Sequence, residues 1–257
     1  MTTTPTGYFA DDSAVRRINR ESVLLLGGGR ALLMQLAHPS VAQGVADHSD
    51  FKANPWSRLQ RTLEATSTIV FGSRAAADRA AGAVRAVHER VVGPGYTAND
   101  PELLLWVHAT LVDTALRVYR RFIGPIRPQD VDEYYQQSKT VAALLGCPVE
   151  AQPASYDDFR AYVRHTLATV EVGDTARALA RDVLHPRLPV VLAPAFELGR
   201  QLTVGLLPPP LREGYGFSWD PARQAALTAA GLSSRAVLPR LPAFARRIPA
   251  LTARDSS

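Results

Sequence analysis

Apolar residues recur along most of this chain at the spacing of an α-helix, and no convincing stretch alternates between apolar and polar positions. The pattern predicts helices over about Asp11–Leu26, Arg30–Ala37, Pro39–His48, Pro55–Phe71, Arg74–Val92, Pro101 to just before Gly124, Pro128–Leu145, and one after Ser155. Most prolines lie in the C-terminal third, where shorter helices are expected. The expected fold class is all-α.

Residues that favour helix ends support these boundaries. Asn54–Pro55 combines an N-cap residue with proline at the first helical position, and Gly72 is expected to end that helix. Ser73 should cap the next helix, and Asp100–Pro101 should open the longest one. The run Gly27–Gly29 is expected to stop the first helix.

The composition is that of a globular protein. The 257 residues are 46% hydrophobic and 21% charged, which is enough for a sizeable core and argues against disorder. No linker or internal repeat divides the chain, so a multi-helix bundle forming one domain over 1–257 is expected. The tail from about residue 241 should lie at its periphery.

Several classes of protein are disfavoured. The N-terminus lacks the charge and apolar run of a signal peptide, and the most apolar stretch, Val23–Ala37, is interrupted by glycines and Arg30. Cys147 is the only cysteine, so no disulfide is expected within the chain. The net charge of +5 comes from scattered arginines and indicates no nucleic-acid partner. We therefore expect a cytoplasmic protein without an integral membrane segment.

Common catalytic motifs are also missing. Gly27–Gly29 follows no predicted strand and precedes no Gly-Lys-Ser/Thr, which excludes a nucleotide loop. His48–Asp50 has the residue types of a hydrolytic triad without a nucleophile elbow. No His-Glu-x-x-His pair for zinc occurs.

Two histidines fall on apolar helix faces. His88 shares a face with Ala77, Ala81, Val84 and Val91, most of which are small. On this pattern alone, a core histidine bonded to backbone carbonyls is the more frequent explanation.

His108 lies on the apolar stripe of the next helix. Such a pair of histidines is consistent with metal ligands, with a ligand and an acid–base partner, or with two structural residues. Asp113 falls off the stripe and is expected to be solvated or to support a site residue.

Arg58 and Thr62 share one face of the helix that begins at Pro55. A cation in the first turn is disfavoured by the helix dipole, so Arg58 suggests an anionic partner such as a buried carboxylate or a cofactor propionate. The alternative is a surface arginine and a threonine bonded to its own helix.

Several short segments follow one another in a specific order. They are residues 29–33, 37–42, 44–45, 48–49, 58–62, 70–72, 88–91, 96–101 and 106–108. Together they resemble the MpaB-like oxygenase family, which includes the latex clearing proteins that cleave polyisoprene. The resemblance covers about Arg16–Trp219 and is strongest over Gly29–Asp113.

The resemblance implies a helical fold around a haem b pocket, with the iron held by a proximal histidine. His88, followed by Val91, occupies the position of that metal ligand, and Arg58 and Thr62 occupy the earlier Arg-x-x-x-Thr pair. His108 is assigned to the cofactor pocket with them. An inward imidazole on a face of small residues suits a porphyrin plane.

The chain departs from its polymer-cleaving relatives at one position. They have a lysine just before the motif threonine, where this chain has Arg61. A guanidinium stays protonated and cannot ligate iron, so the distal site is expected to be open or approached by His38 or His48. The rubber-cleaving relatives are secreted and the fungal relatives of the family are membrane-anchored, and no signal of either kind is visible here.

The expected function is that of a haem b-dependent oxygenase that uses dioxygen on a small apolar or olefinic, isoprenoid-like substrate inside the cell, by oxidative double-bond cleavage. Arg58, Thr62, His38 and His48 are the expected catalytic residues. The alternatives are a peroxidase-like or hydroxylating enzyme on a phenolic or terpenoid compound, and a haem-free helical ligand-binding protein. Substrate, oxidant and oligomeric state stay open.

Overall fold

The computed structural model describes residues 6–48, 55–185 and 193–247, without the side chains of 55–60, 193 and 195. The α-helices are α1 (Ala14–Asn19), α2 (Gly28–Ala37), α3 (Pro39–His48), α4 (Pro55–Phe71), α5 (Arg74–His88), α6 (Pro101–Phe122), α7 (Pro128–Leu144), α8 (Tyr156–Thr169), α9 (Asp174–Leu184), α10 (Ala193–Leu206), α11 (Pro209–Gly214), α12 (Pro221–Val237) and α13 (Ala243–Arg246). Two-residue strands β1 (Val92–Gly93) and β2 (Tyr96–Thr97) form an antiparallel pair. The all-α fold class is confirmed.

Three of the predicted helix starts are confirmed by their caps, while Asn54, the predicted cap of α4, lies outside the described residues. Ser73 Oγ accepts a hydrogen bond from the amide of Ala76, and Asp100 accepts one from the amide of Glu102. Ser155 opens α8 with a capping box, because its side chain and that of Asp158 bond to each other's backbone amides.

The prediction of one helix from Asp11 to Leu26 is wrong. Helix α1 ends at Asn19, and a 3-10 helix follows over Ser22–Gly27. Between them, Glu21 has an extended backbone and pairs with Arg247 in an isolated bridge. This tie to the C-terminal end of the described chain breaks the helix, and the glycine run opens α2 instead of stopping its predecessor.

The helix predicted to run to Val92 ends four residues earlier, at His88. The chain then forms the β1–β2 hairpin, in which Val92 pairs with Thr97. Gly95 makes the turn with a φ of 79°, a conformation that favours glycine. Pro94 and Gly95 favour a turn, so the chain leaves the helix at His88 although the residues up to Val92 keep helical spacing.

Helix α6 crosses the middle of the fold. One side of it contributes Leu103 and Trp106 to an apolar cluster with α2, α3, α9 and α11. Another side contributes Ala109, Val112 and Leu116 to a second cluster with α1, α4, α5, α7 and α8. Even α6, the longest of the described helices, lacks the apolar character needed to cross a bilayer, and the other described helices lack it too.

Arg30 is fully buried between three helices. Its Nε donates to the carbonyl of Leu206 at 2.8 Å, and its guanidinium also donates to the Thr114 hydroxyl. Nη2 lies 2.6 Å from a carboxylate oxygen of Asp113. Burial lowers the pKa of Arg30, and the Asp113 carboxylate opposes that change. Asp113 was expected to be solvated or to support a site residue. In the structure it is half-buried and is the counter-ion of Arg30, which links α2 to α6.

The glycines before Arg30 allow this close packing. A Cβ on Gly27 would overlap methyl groups of Thr114 and Val118, and one on Gly29 would overlap Thr203. Any side chain at either position would push α2 and the preceding turn away from α6 or α10.

Helices α2 and α6 run antiparallel along their whole contact. Arg30 reaches the later part of α6, Gln35 donates to Thr110 at 3.1 Å, and Trp106 donates to the carbonyl of Met34 at 3.2 Å. The C-terminal end of α2 therefore lies over the first turns of α6.

Replacing Arg30 with methionine should lower the free energy of unfolding by about 3–5 kcal/mol, because Asp113 and the Leu206 carbonyl lose a buried partner. Chemical denaturation measures this loss. Arg79→Met, at an exposed arginine of α5, is the matched control and should change stability by less than about 0.5 kcal/mol. Equal stabilities of the two variants would contradict the structural role of Arg30.

Candidate functional site

Helices α4 and α5 form an antiparallel hairpin joined only by Gly72 and Ser73. Its closed end is clamped by Arg16, whose guanidinium donates to the carbonyls of Val70 at 3.0 Å and Phe71 at 3.2 Å. Those donations satisfy carbonyls at the C-terminus of α4 that have no partner within the helix. The open end of the hairpin is where the sequence places the candidate site.

His88 is the last residue of α5, so it ends the helix instead of preceding its end by a turn. Its ring is half-buried, with Nδ1 shielded from solvent. Ala77 and Ala81 on the same face are fully buried, and Val84 is half-buried, as the spacing predicts. The partial negative charge at a helix C-terminus favours a cation close to this imidazole.

The opposite helix brings Arg58 to the level of His88, with Thr62 one turn closer to the closed end of the hairpin. Arg58 is the fourteenth residue before Gly72 and Val87 the fourteenth after Ser73; because both helices rise equally per residue, the two positions lie side by side. Thr62 is half-buried. The side chain of Arg58 lies outside the described residues, so its direction stays a prediction.

Arg61 is exposed to solvent. It replaces the lysine of the polymer-cleaving relatives, and its charged group lies on the outer side of α4. No protein amine is therefore supplied from this position.

His108 faces α7, where its ring hydrogen-bonds to the backbone of Ser138. Its Nε2 is shielded from solvent and has no hydrogen-bond partner among the described residues. Burial lowers the pKa of His108 to about 4, so the ring is neutral at physiological pH.

His108 and Arg85, which lies three residues before His88, contact different levels of α7. His108 lies beside Ser138, whereas Arg85 donates to the carbonyl of Leu144. Ser138 and Leu144 are six residues apart along α7, which corresponds to about 9 Å. The two histidines therefore share a layer of the fold and are offset along it.

His38 lies on the other side of α6. It ends α2, and Glu102 and Asp100 are the charged groups that act on it. Its Nδ1 is buried without a hydrogen-bond partner among the described residues, and burial lowers its pKa. His108 is two residues from both Trp106 and Thr110, which face α2, and is turned about 200° away from them. His38 and His108 therefore belong to different sides of the helix.

His48 lies beside the hairpin that follows α5. It is exposed, and its Nε2 is 2.9 Å from the carbonyl of Val92. Ser49 and Asp50, the other residues of the rejected triad, lie outside the described residues.

One polar pair near His48 was missed by the sequence reasoning. The Tyr96 hydroxyl donates to a carboxylate oxygen of Asp47 at 2.7 Å. That hydrogen bond raises the pKa of Tyr96 to about 12, and it also lowers the pKa of Asp47. The two residues are far apart in sequence and share no local motif, so only the fold reveals that they fasten α3 to β2.

The donor side chains near His88 suit one kind of metal centre. Among the described residues, no three histidine, cysteine, aspartate or glutamate side chains converge to hold a metal ion. A single imidazole can hold iron when a macrocycle supplies the equatorial ligands. His88, at a helix end on a face of small residues, has the donor and the surroundings for that role.

Comparison with known proteins finds one matching family model and two similar proteins. A family model described as the catalytic domain of ER-bound oxygenase mpaB/B' and rubber oxygenase matches residues 15–236. Uncharacterized proteins from Mycobacterium bovis and Mycobacterium tuberculosis are each 28% identical over 204 residues, covering 75% of this chain and 80% of the relative. No solved structure gives a significant match. The family match includes every candidate site residue.

Acid should destabilise the protein through His108. Its pKa of about 4 in the fold is below the unfolded value of 6.5, so the unfolded state binds more protons between these values and stability falls as pH drops through that window. The loss reaches at most about 3 kcal/mol. Denaturation at pH 7 and pH 4.5 should show a smaller pH effect in His108→Gln than in the wild type. His165→Gln, at an exposed histidine of α8, should keep the full effect; a wild-type pH effect in His108→Gln would contradict the assignment.

Proposed function

Because this chain belongs to the family of the ER-bound mpaB oxygenases and the rubber-oxygenase catalytic domains, we propose that it is a haem b-dependent oxygenase with His88 as the iron ligand. The observation that carries the proposal is the position of His88 at the open end of the α4–α5 hairpin, with Nδ1 buried and small side chains behind it. The mycobacterial relatives are uncharacterized and supply no substrate.

The described residues fit a haem in two respects. His88 offers an imidazole nitrogen at a helix C-terminus, where the helix dipole favours a nearby cation such as iron. His108 keeps a buried ring nitrogen without a hydrogen-bond partner among the described residues, an arrangement that costs about 1–3 kcal/mol unless another group satisfies it.

Arg58 and Thr62 would hold the cofactor from the facing helix. A guanidinium at the level of His88 can pair with a haem propionate in two parallel hydrogen bonds. That pair would also explain a cation in the first turn of α4, where the helix dipole disfavours it. Thr62, half-buried one turn further on, would line the pocket.

An imidazole is the better candidate for the iron ligand than the thiol of this chain. Cys147 is buried at the end of α7, and burial raises the pKa of its thiol. A thiol kept protonated is a poor ligand. The haem would supply activation of dioxygen, and a neutral histidine ligand sets its reactivity apart from that of thiolate-bound haem.

The proposed substrate is a small apolar or olefinic molecule, isoprenoid-like and intracellular, with oxidative double-bond cleavage as the reaction. The exposed Arg61, which stands where the resemblance implies a distal lysine in the polymer-cleaving relatives, favours this over a polymer. Of the two candidate bases for an allylic proton, His48 bonds through Nε2 to the Val92 carbonyl, four residues after His88, whereas His38 lies on the other side of α6.

The purified protein should show a haem Soret band, and His88→Ala should lose that band while keeping its helical circular dichroism. The physical reason is the loss of the only protein bond to iron. Absorbance and haem content per chain measure the effect.

His165→Ala, at an exposed histidine, is the control and should keep its full haem content. Retention of haem by His88→Ala together with its loss in His108→Ala would move the iron ligand to His108. Absence of haem from the wild-type protein, even after reconstitution, would favour the haem-free ligand-binding alternative.

The reduced protein should convert isoprenoid olefins to carbonyl products that contain oxygen from labelled dioxygen. Mass spectrometry of the products measures the incorporation, and His88→Ala is the inactive control. Turnover that requires hydrogen peroxide and leaves the carbon skeleton intact would instead support the peroxidase-like enzyme on phenolic or terpenoid compounds.

A further inference from the structure

Helix α12 packs on α6 through one narrow side. Leu227 joins an apolar cluster with Val118 and Phe122, and Ser234 Oγ donates to the Phe122 carbonyl at 3.0 Å. Gly231 lies so close to Arg121 that an added Cβ would come within 3.0 Å of its carbonyl oxygen. These contacts follow helical spacing and fix which side of α12 points outward.

The outward side of α12 is mainly apolar. Its exposed residues are Ala222, Ala225, Ala226, Thr228, Ala229, Leu232, Ser233, Ala236 and Val237, and the exposed Arg223 and Arg235 flank it. An exposed helix side in a globular protein usually carries charged and polar residues. On this side the charges are confined to the flanks.

Bulky apolar side chains are exposed on α12 and in the segment that follows it. Leu232 is 59% exposed, Val237 54%, Leu241 37% and Phe244 80%. We call these four residues and the outward side of α12 the C-terminal apolar surface. Several large exposed apolar side chains within one segment of the chain are typical of an interaction site.

The chain holds the end of this surface in place. Arg246 pairs with the buried Glu21 at 3.2 Å, and Ser22 Oγ donates to the Arg246 carbonyl at 2.7 Å. Phe244 is therefore presented by a segment that is fastened to the body of the protein.

The charges around the C-terminal apolar surface indicate which kind of partner it binds. Residues 221–247 contain five arginines and no aspartate or glutamate, and Asp220, which caps α12, pairs with one of them, Arg223, at 3.3 Å. Arg235 donates to the Arg121 carbonyl at 3.2 Å, which brings its charge beside the arginines at the end of α6. A second copy of this chain would bring like charges together, whereas an anionic partner would complement them.

We propose that the C-terminal apolar surface binds an anionic phospholipid bilayer, with α12 lying in the plane of the membrane. Leu232, Val237, Leu241 and Phe244 enter the boundary between headgroups and acyl chains. Arg235 and Arg240 contact lipid phosphates while their aliphatic stems stay with the apolar side. The proposal does not depend on haem or on the identity of the substrate.

Flotation with lipid vesicles tests the proposal in the full-length protein. The wild type should bind vesicles of phosphatidylcholine with phosphatidylglycerol, bind vesicles of phosphatidylcholine alone far less, and lose binding as salt is raised. The double variant Leu232→Ser/Phe244→Ser should bind anionic vesicles at least about tenfold more weakly, because two apolar anchors are lost. Val149→Ser, which alters another exposed valine, should bind like the wild type.

Other occupants of the C-terminal apolar surface would give different results in flotation and light scattering. Anionic-vesicle binding that is unchanged in Leu232→Ser/Phe244→Ser would show non-specific attraction of arginines and overturn the proposal. Light scattering that shows a dimer, dissociated by the same substitutions and indifferent to vesicles, would assign the surface to a second copy and also overturn it. Circular dichroism of each variant confirms that the fold is kept.

Discussion

A buried guanidinium between three helices sets the geometry on which the rest of the fold depends. Arg30 is stable in its position only while Asp113, Thr114 and the Leu206 carbonyl surround it, because an unpaired buried charge is far more costly than a paired one. This requirement fixes how far α2 lies from α6 and in which register. With α6 held in the centre, one of its sides faces the apolar cluster at whose edge His38 follows α2, and another faces the layer of α4, α5 and α7.

Much of the fold could be predicted because helix spacing and capping are local properties. Ser73, Asp100 and Ser155 mark helix starts through bonds to amides two or three residues away. The errors arise where distant contacts decide the backbone. Glu21 breaks the first helix by pairing with the far end of the chain, and the hairpin after His88 is anchored by a tyrosine that bonds across to α3.

The candidate site could be predicted in part for the same reason. The inward face of α5 follows from its spacing, and the short turn at Gly72 dictates that α4 returns alongside it. The apolar faces of the helices do not reveal whether His38 and His108 lie close together, because His38 lies beside α6 and His108 lies on it. Only the packing of α2 and α7 against α6 shows that the two side chains point in different directions. The role of Asp113 was hidden because its partner lies on another helix.

The α4–α5 hairpin is held at its closed end, near Gly72, so a small rotation there displaces the open end by a larger distance. Arg16 holds the closed end through two carbonyls, and the backbone of Thr6 accepts a hydrogen bond from Arg74 at the same end. The level of Arg58 and Val87 lies about 21 Å away along the helices, so a rotation of only about 5° at the clamp moves the open end by about 2 Å. Such a rotation acts mainly on the hydrogen bond from Arg85 to the Leu144 carbonyl near the open end, while the contacts of Arg16 at the closed end stay in place.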